Sequence, residues 1–533
     1  STQAKTLFPY TTLFRSKLAG TLGITLRQNY NREAPRLAAQ VGRYAHAKQF
    51  RRMKATLKSL RTVVGRVWRD IDRKLDQQNN PQRAKAASIL ARVKRLLEQK
   101  PKDKNKLYSL HAPEVECISK GKARQPYEFG VKVTVATTHK EGLVVGMRSL
   151  PGNPYDGHTL PEAIEQVLQE WAPASPRAGI VALLPEAEKD RIPLLQAAAE
   201  RHSMALAGAV FPALLRGDDF VNSGAWLLCF DTMPQHFLLP DINAGAGKAA
   251  DRVVAAVRRE LGNSPAPAEK PTLFMIFDGM VPNIASVVDG IYLALANRVE
   301  YAGVNAGSET FQPMPCLFDG ERVVGNGLLG LLLPAGMVPL LAHGFAPPER
   351  SMGATATEGN RIATLDWRPA FEVYQEIIKA QFGIELTRDN FYQYAVHYPF
   401  GILCANGDVV VRIPVVLAED GALYCVGEIP ENALLVLLQA PAAGGNGCIG
   451  QLAMNLQSAH GSLIGRQLLS FYCAGRRLHL GDAARTELAQ LAEQTGAAAL
   501  GGALSLGEIG NTVRWGYPMF HNATLVCTPW GTQ

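Results

Sequence analysis

The chain has 533 residues, 47% of them hydrophobic and 19% charged, with a formal net charge of +8. That length suggests two to four domains of roughly 100–200 residues each. No apolar run approaches the ~18–20 residues of a membrane helix and no signal-peptide pattern is present, so neither a membrane span nor export is expected, and the expected location is cytoplasmic. The charge is unevenly divided: residues 1–165 carry 32 basic and 13 acidic side chains, the remainder 23 and 34. A split of this size suggests a nucleic-acid-facing segment beside an ordinary acidic globular one. The eight cysteines include no C-x-x-C pair and fit reduced thiols better than a disulfide framework or a zinc site.

Thr6–Ser16 (TLFPYTTLFRS) resembles the in-frame translation of a short-read sequencing adapter, and residues 1–16 are expected to be an artefact outside any fold. Leu57, Leu60, Val64, Val67, Trp68, Ile71 and Leu75 recur at three- and four-residue spacing, which predicts one stripe of an amphipathic helix. Arg51, Arg52, Lys54, Lys58, Arg61 and Arg66 occupy much of the rest of that helix. Such side chains suit phosphate contact, because each neutralised phosphate releases counterions; a solvated helix face is the plain alternative. Asn80-Pro81 predicts the start of a second helix, running to about Gln99 with a face of Ala86, Ile89, Leu90, Val93 and Leu97. Lys100–Lys106 reads as a charged linker, and Lys106–His111, Glu114–Ile118 and Phe129–Thr137 read as strands.

Two strings in this segment are specific, YSLHAPEVECISKGKARQPYEFGVKV (Tyr108–Val133) and GNPYDGHTL (Gly152–Leu160). They resemble a bacterial insertion-sequence transposase of the IS5-like kind, over about residues 17–165. The resemblance implies three carboxylates holding two divalent metals for strand transfer. The strings that carry those acids in that family do not occur here, and Asp156 is not one of the three. The expectation is a truncated remnant, inactive in transposition, that binds DNA weakly.

Trp171–Pro176 predicts a linker, and beyond it strand and helix patterns alternate. Ile180–Leu184, Ala205–Val210, Ala225–Phe230 and Thr272–Phe277 are apolar runs of strand length. Glu186–His202, Asp251–Leu261 and Ile284–Ala296 have helical spacing, and Val323–Leu333 reads as a glycine-punctuated strand pair. Gly262–Lys270 and the Gly444–Gly447 tract read as loops. This alternation predicts an α/β fold.

The order of motifs in this half is similar to a FIST sensory domain. The motifs are Tyr301–Gly307 (YAGVNAG), Leu317–Gly320 (LFDG), Tyr398–Gly401, Gly427–Leu438, Ser470–Arg477 (SFYCAGRR), Gly507–Gly510 (GEIG) and Phe520–Val526 (FHNATLV). The resemblance implies two linked α/β subdomains with mixed sheets, covering residues 177–365 and 366–533, split near 360–370 and with a ligand pocket near the junction. A helix Ala370–Phe382, a strand Asp408–Val416 and a helix at about Gly447–His460 belong to the second part.

Five residues are candidates for ligand contact. Arg476 suits a bidentate carboxylate clamp or a structural salt bridge with Glu487 or Glu508. Glu508 suits an amino group or a cap. Asn305 lies where small residues let a backbone approach a ligand. Asn522 suits a turn into the last strand, and Cys473 a reactive thiol or core. Family resemblance implies an amino acid or related small polar metabolite as ligand. Haem is the alternative, with His343, His397 or His521 as iron ligand and no motif that selects among them.

No G-x-S-x-G, H-E-x-x-H or Walker A string occurs, so catalysis is not expected. No kinase, cyclase or receiver string follows either, so signalling is expected to run through a protein partner. Two rival readings remain open at the level of sequence. One is a genuine fusion in which the sensory part regulates a DNA-binding part. The other is an enzyme that uses Arg476, Glu508 and Cys473.

Overall fold

The computed structural model describes residues 19, 22–28, 30–77, 83–100, 103–104, 106–110, 113–119, 127–137, 144–150, 160–171, 177–243, 248–262, 270–345, 348, 350–404, 408–439, 447–513 and 516–530. Residues 6–16, 152–159, 172–176, 263–269 and 444–446, on which several expectations fall, lie outside the described residues. The chain divides into two units, residues 1–134 with 147–155, and residues 135–146 with 156–533.

Among its described residues, the smaller unit has helices α1 (Glu33–His46), α2 (Phe50–Gln77) and α3 (Arg83–Glu98). The expected stripe of α2 is buried at Leu60, Val64, Val67, Ile71 and Leu75, against Leu37 of α1 and Leu90 and Val93 of α3. Trp68 is only half buried, and its indole N–H donates to the Leu90 carbonyl at 3.0 Å. Lys106–Leu110, expected as a strand, is not one. Its backbone is bridged instead by the Gln99 amide, which accepts from Leu107 N–H at 3.0 Å and donates to its carbonyl at 2.9 Å. Phe129–Thr137 is broken at Val131. β1 (Glu116–Ser119) pairs with β2 (Tyr127–Gly130), and β3 (Lys132–Thr137) pairs with β4 (Val144–Leu150). Helix α4 (Leu160–Trp171) belongs to the larger unit and buries Ile164 and Leu168 in its core.

The larger unit is mixed α/β. Its first part runs β5 (Gly179–Pro185), α5 (Ile192–Arg201), β6 (Ala205–Phe211), β7 (Leu214–Arg216), β8 (Asp219–Val221), β9 (Trp226–Phe230), β10 (Gln235–Leu239) and α6 (Ala249–Leu261). It continues with β11 (Thr272–Asp278), α7 (Ile284–Leu295), β12 (Glu300–Ala306), β13 (Leu317–Asp319), β14 (Val323–Val324), β15 (Leu328–Leu333) and β16 (Leu340–Ala342). Then come β17 (Ser351–Glu358), β18 (Arg361–Leu365), β19 (Arg368–Pro369), α8 (Ala370–Phe382), α9 (Phe391–Ala395), β20 (Phe400–Leu403), β21 (Val409–Arg412), β22 (Pro414–Leu417), β23 (Leu423–Cys425) and β24 (Leu434–Leu437). The last stretch is α10 (Cys448–His460), β25 (Gln467–Cys473), α11 (Ala474–Leu480), α12 (Ala483–Thr495), β26 (Ala499–Ser505), β27 (Glu508–Gly510), β28 (Met519–His521) and β29 (Leu525–Trp530).

Three parallel strand pairs, β5–β6, β11–β12 and β25–β26, are each joined through helices, the usual solution for a parallel crossover. Each pair sits in its own sheet, ordered β14-β13-β6-β5-β9, β10-β15-β11-β12-β27-β28 and β16-β29-β25-β26-β7-β8. A further sheet runs β21-β20-β24-β17-β18-β23-β22, with β19 on β18.

Side-chain alternation along β11 assigns the layers. Phe274 and Ile276 enter a core shared with β6, Phe471 of β25 and Ala503 of β26, while Leu273, Met275 and Phe277 face α6 and α7. Helix α7 meets them with Ile284, Val287, Val288, Ile291 and Leu295, one face at helical spacing. On the other side α10 and α12 cover Leu468 and Tyr472 of β25. The fourth sheet packs its own core against α8 and α9. The expected continuous strand Asp408–Val416 is divided at Ile413, because β21 pairs with β20 and β22 pairs with β23. β22 thereby becomes one edge of its sheet, the other being β21.

Candidate functional site

Two cavities adjoin within the larger unit, of about 630 Å³ and 580 Å³. Glu309, Phe311, Tyr392, Val415 and Val426 wall both. They lie beyond the carboxyl ends of the parallel strands. Cys473 ends β25 and Leu506 follows β26 at the larger cavity, while Gly279 follows β11 and Asn305 lies near the end of β12 at the smaller. Ligands of open α/β sheets bind at such strand ends.

The larger cavity carries the charge. Arg477 and Arg485 line it with Glu309 and Asp482. Arg477 Nη1 stands 3.3 Å from Glu309 Oε1, and its guanidinium lies 5.0 Å from the Phe220 ring centroid. Arg485 pairs with Asp219 at 2.7 Å. Both arginines keep solvent-exposed side chains, so their pairs are easily exchanged for a ligand's charge.

Arg476 and Glu508 lie behind the cavity walls and line neither of the two. The Arg476 guanidinium is buried and donates to both Glu487 oxygens at 2.7 and 2.8 Å, to the His343 carbonyl at 2.7 Å and to the Ala523 carbonyl at 3.1 Å. Tyr472 adds its hydroxyl to Glu487 at 2.6 Å. Arg476 is therefore spent on a structural bridge. Glu508 is fully buried and accepts from the Ser505 and Thr524 hydroxyls, each at 2.6 Å. Burial pushes its carboxyl up to about 7, against the lowering effect of those hydrogen bonds.

The other three candidates reach the cavities. Cys473 lines the larger one, and its sulfur accepts from the Ala523 N–H at 3.1 Å. Burial pushes the Cys473 thiol well up, which keeps it protonated. Asn522 also lines the larger cavity, with its oxygen accepting from Ile413 N–H at 3.1 Å and its amide donating to the His521 carbonyl at 3.1 Å. Asn305 lines the smaller cavity and is 1% exposed. Among the described residues, neither atom of its side-chain amide has a hydrogen-bond partner.

None of the three candidate histidines lines either cavity. His343 Nδ1 accepts from Phe345 N–H at 3.0 Å, and burial beside Arg476 pushes its imidazole down to about 4. His521 is fully buried, stacks on His343 at 6.0 Å, and is held neutral by burial. His397 contacts His479 at 2.5 Å. The residues around the two cavities thus do not fit a haem ligated by these histidines.

Of the basic residues of α2, Arg51, Arg52, Lys54, Lys58, Arg66, Arg69 and Arg73 are exposed. Arg61 donates to the Leu97 carbonyl, and Arg66 donates to the Tyr30 hydroxyl at 3.3 Å.

Sequence reasoning missed Arg477, Arg485, Glu309 and Phe220, which lie on separate elements and share no motif. Arg477 had one usable signal. Neighbouring residues on a helix point about 100° apart, so Arg476 and Arg477 at the start of α11 cannot both face inward.

Residues 178–368 match the FIST N domain and residues 370–511 the FIST C domain. An uncharacterized protein of Methanocaldococcus jannaschii is 26% identical over 178 residues, which are 31% of this chain and 34% of that protein. The chain thus spans about a third of the length of that relative. From residue 178 to residue 511, the chain is a FIST N domain followed by a FIST C domain.

Proposed function

We propose that the larger unit is a sensory module that binds a small polar metabolite bearing a carboxylate, an amino acid or a relative of one, and passes the event to a protein partner. The single observation that carries this reading is the pair of adjoining cavities at the strand ends, walled by both FIST parts and furnished with Arg477 and Arg485. Either guanidinium offers a planar fork to a carboxylate. Asn305, Asn522 and Cys473 supply the neighbouring walls. Arg476 and Glu508 act indirectly, by fixing the ends of β25 and β27. The unit is a binder in this reading, and the enzyme alternative is set aside because Arg476 and Glu508, two of the three residues it would use, line neither cavity.

Thermal melting with each of the twenty amino acids tests the proposal. A ligand at 100 times its Kd should stabilise the protein by about 2.7 kcal/mol. Arg477→Gln should abolish most of that shift while leaving the unliganded melting temperature almost unchanged, since its ion pair is solvent-exposed. No shift with any carboxylate-bearing metabolite would remove the sensory reading.

The basic unit is proposed to be a transposase remnant that has lost its metal-binding acids. The exposed cations on α2 would give it weak, sequence-independent affinity for duplex DNA. That affinity should fall steeply between 50 and 200 mM salt, roughly as the number of phosphates contacted. An affinity insensitive to salt would rule out the phosphate contacts.

A further inference from the structure

We infer that the paired cavities take a short peptide with a free C-terminal carboxylate, rather than a single amino acid. The inference rests on the ligand-binding reading above and narrows it to a chemical class.

Asn305 is the starting point. A buried amide with neither its donor nor its acceptor satisfied is costly, and such groups in native proteins call for a partner. Its own backbone is fully used: Asn305 N–H donates to the Gly507 carbonyl at 2.8 Å, and its carbonyl accepts from Leu506 N–H at 3.0 Å. Only the side chain is open, and it lines the smaller cavity. A carboxamide presents one donor and one acceptor on the same edge. An extended peptide residue presents its N–H and C=O toward one side, as in an antiparallel ladder. The two edges are complementary.

The cavity wall at β22 supports an extended ligand. β22 is a sheet edge, with Pro414 and Val415 at the larger cavity and Val415 and Val416 at the smaller. An edge strand is the usual docking rail for an extended peptide. The two spaces meet at Val415 and Tyr392, so a chain lying along β22 passes from one into the other. Each cavity alone falls in the range of about 300–1,000 Å³ that holds a drug-sized molecule. A lone amino acid would fill a small part of that space. The C-terminal carboxylate then belongs at Arg477 and Arg485, which line only the larger cavity, and an interior residue belongs on Asn305.

The test uses the full chain, a pool of random tripeptides, the same pool amidated at its C-termini, and the twenty free amino acids. Thermal melting reads binding, and native mass spectrometry reads the bound mass. Binding of the free-acid pool is expected about tenfold or more tighter than that of any amino acid. Amidation, or Arg477→Gln, should each weaken the free-acid pool roughly tenfold, through loss of a charge-assisted hydrogen bond. The amidated pool should not distinguish Arg477→Gln from the parent. Asn305→Leu should weaken both pools by a similar factor, and its circular dichroism reports whether it folds. If free amino acids bind as tightly as the tripeptides, the peptide inference falls and the sensory proposal stands. If neither binds, both fall. Unchanged tripeptide affinity in folded Asn305→Leu would show that the amide reads no ligand and would overturn the inference.

Discussion

Arg476 and Arg477 are adjacent in sequence and have opposite fates. One is sealed among Glu487, Tyr472 and two carbonyls, and the other stands at a cavity with over a third of its side chain exposed. Glu508 shows what sealing costs a carboxylate. Its folded value of about 7 lies above the ordinary 4.5, so the folded state holds the proton more tightly than the unfolded chain. Its contribution to stability is complete below about pH 4.5 and is lost as pH rises through 7. At pH 8 the ionised carboxyl should cost roughly 3 kcal/mol. Glu508→Gln is isosteric and cannot ionise, so it should raise the urea midpoint at pH 8 and leave it almost unchanged at pH 4. Equal midpoints for the two proteins at pH 8 would contradict this account of the site.

At the scale of elements, much was legible. Apolar runs at Ile180–Leu184 and Thr272–Phe277 became β5 and β11, and the helix Ala370–Phe382 became α8 with those bounds, because each carries its own period and its own end signals. Val409–Leu417 is apolar but for Arg412, and Pro414, which cannot donate to a ladder, was the one local signal of the break at Ile413; the partners that divide the run, β20 and β23, are set outside it. The same limit hid the cavity. Phe220, Glu309, Val415 and Arg477 meet through strand pairing between distant segments, which no local pattern records. Gly502 shows how tight that pairing is. It lies at φ +144°, and a Cβ there would sit 1.9 Å from the Ser470 carbonyl oxygen on β25. Gly502→Ala should therefore prise β26 from β25 and cost more than the ~1 kcal/mol of an ordinary glycine replacement, measurable by denaturant unfolding. A neutral effect would mean that the two strands have room to separate.

At the scale of the larger unit, the two FIST parts exchange strands. β7 of the first part pairs with β26 of the second, and β27 of the second pairs with β12 of the first. Phe211, Phe274 and Phe471, drawn from both parts, pack ring to ring at 5.6–5.7 Å. Neither part closes its core alone, so residues 178–368 expressed by themselves should lack cooperative unfolding and dispersed amide resonances. Co-expression with residues 369–533 should restore both. A well-folded isolated first part would show that the exchanged strands are dispensable.

The exchange also sets a clock on biosynthesis. β7 leaves the ribosome about 280 residues before β26, its partner, has been made. At about 5–20 residues per second that delay is roughly 15–60 s. β12, once made, in turn waits about 200 residues with an open edge for β27. Unpaired edges of this kind recruit other chains. The nascent protein should therefore depend on chaperones that hold half-made sheets, and synonymous changes that slow translation between residues 306 and 499 should lower its soluble yield.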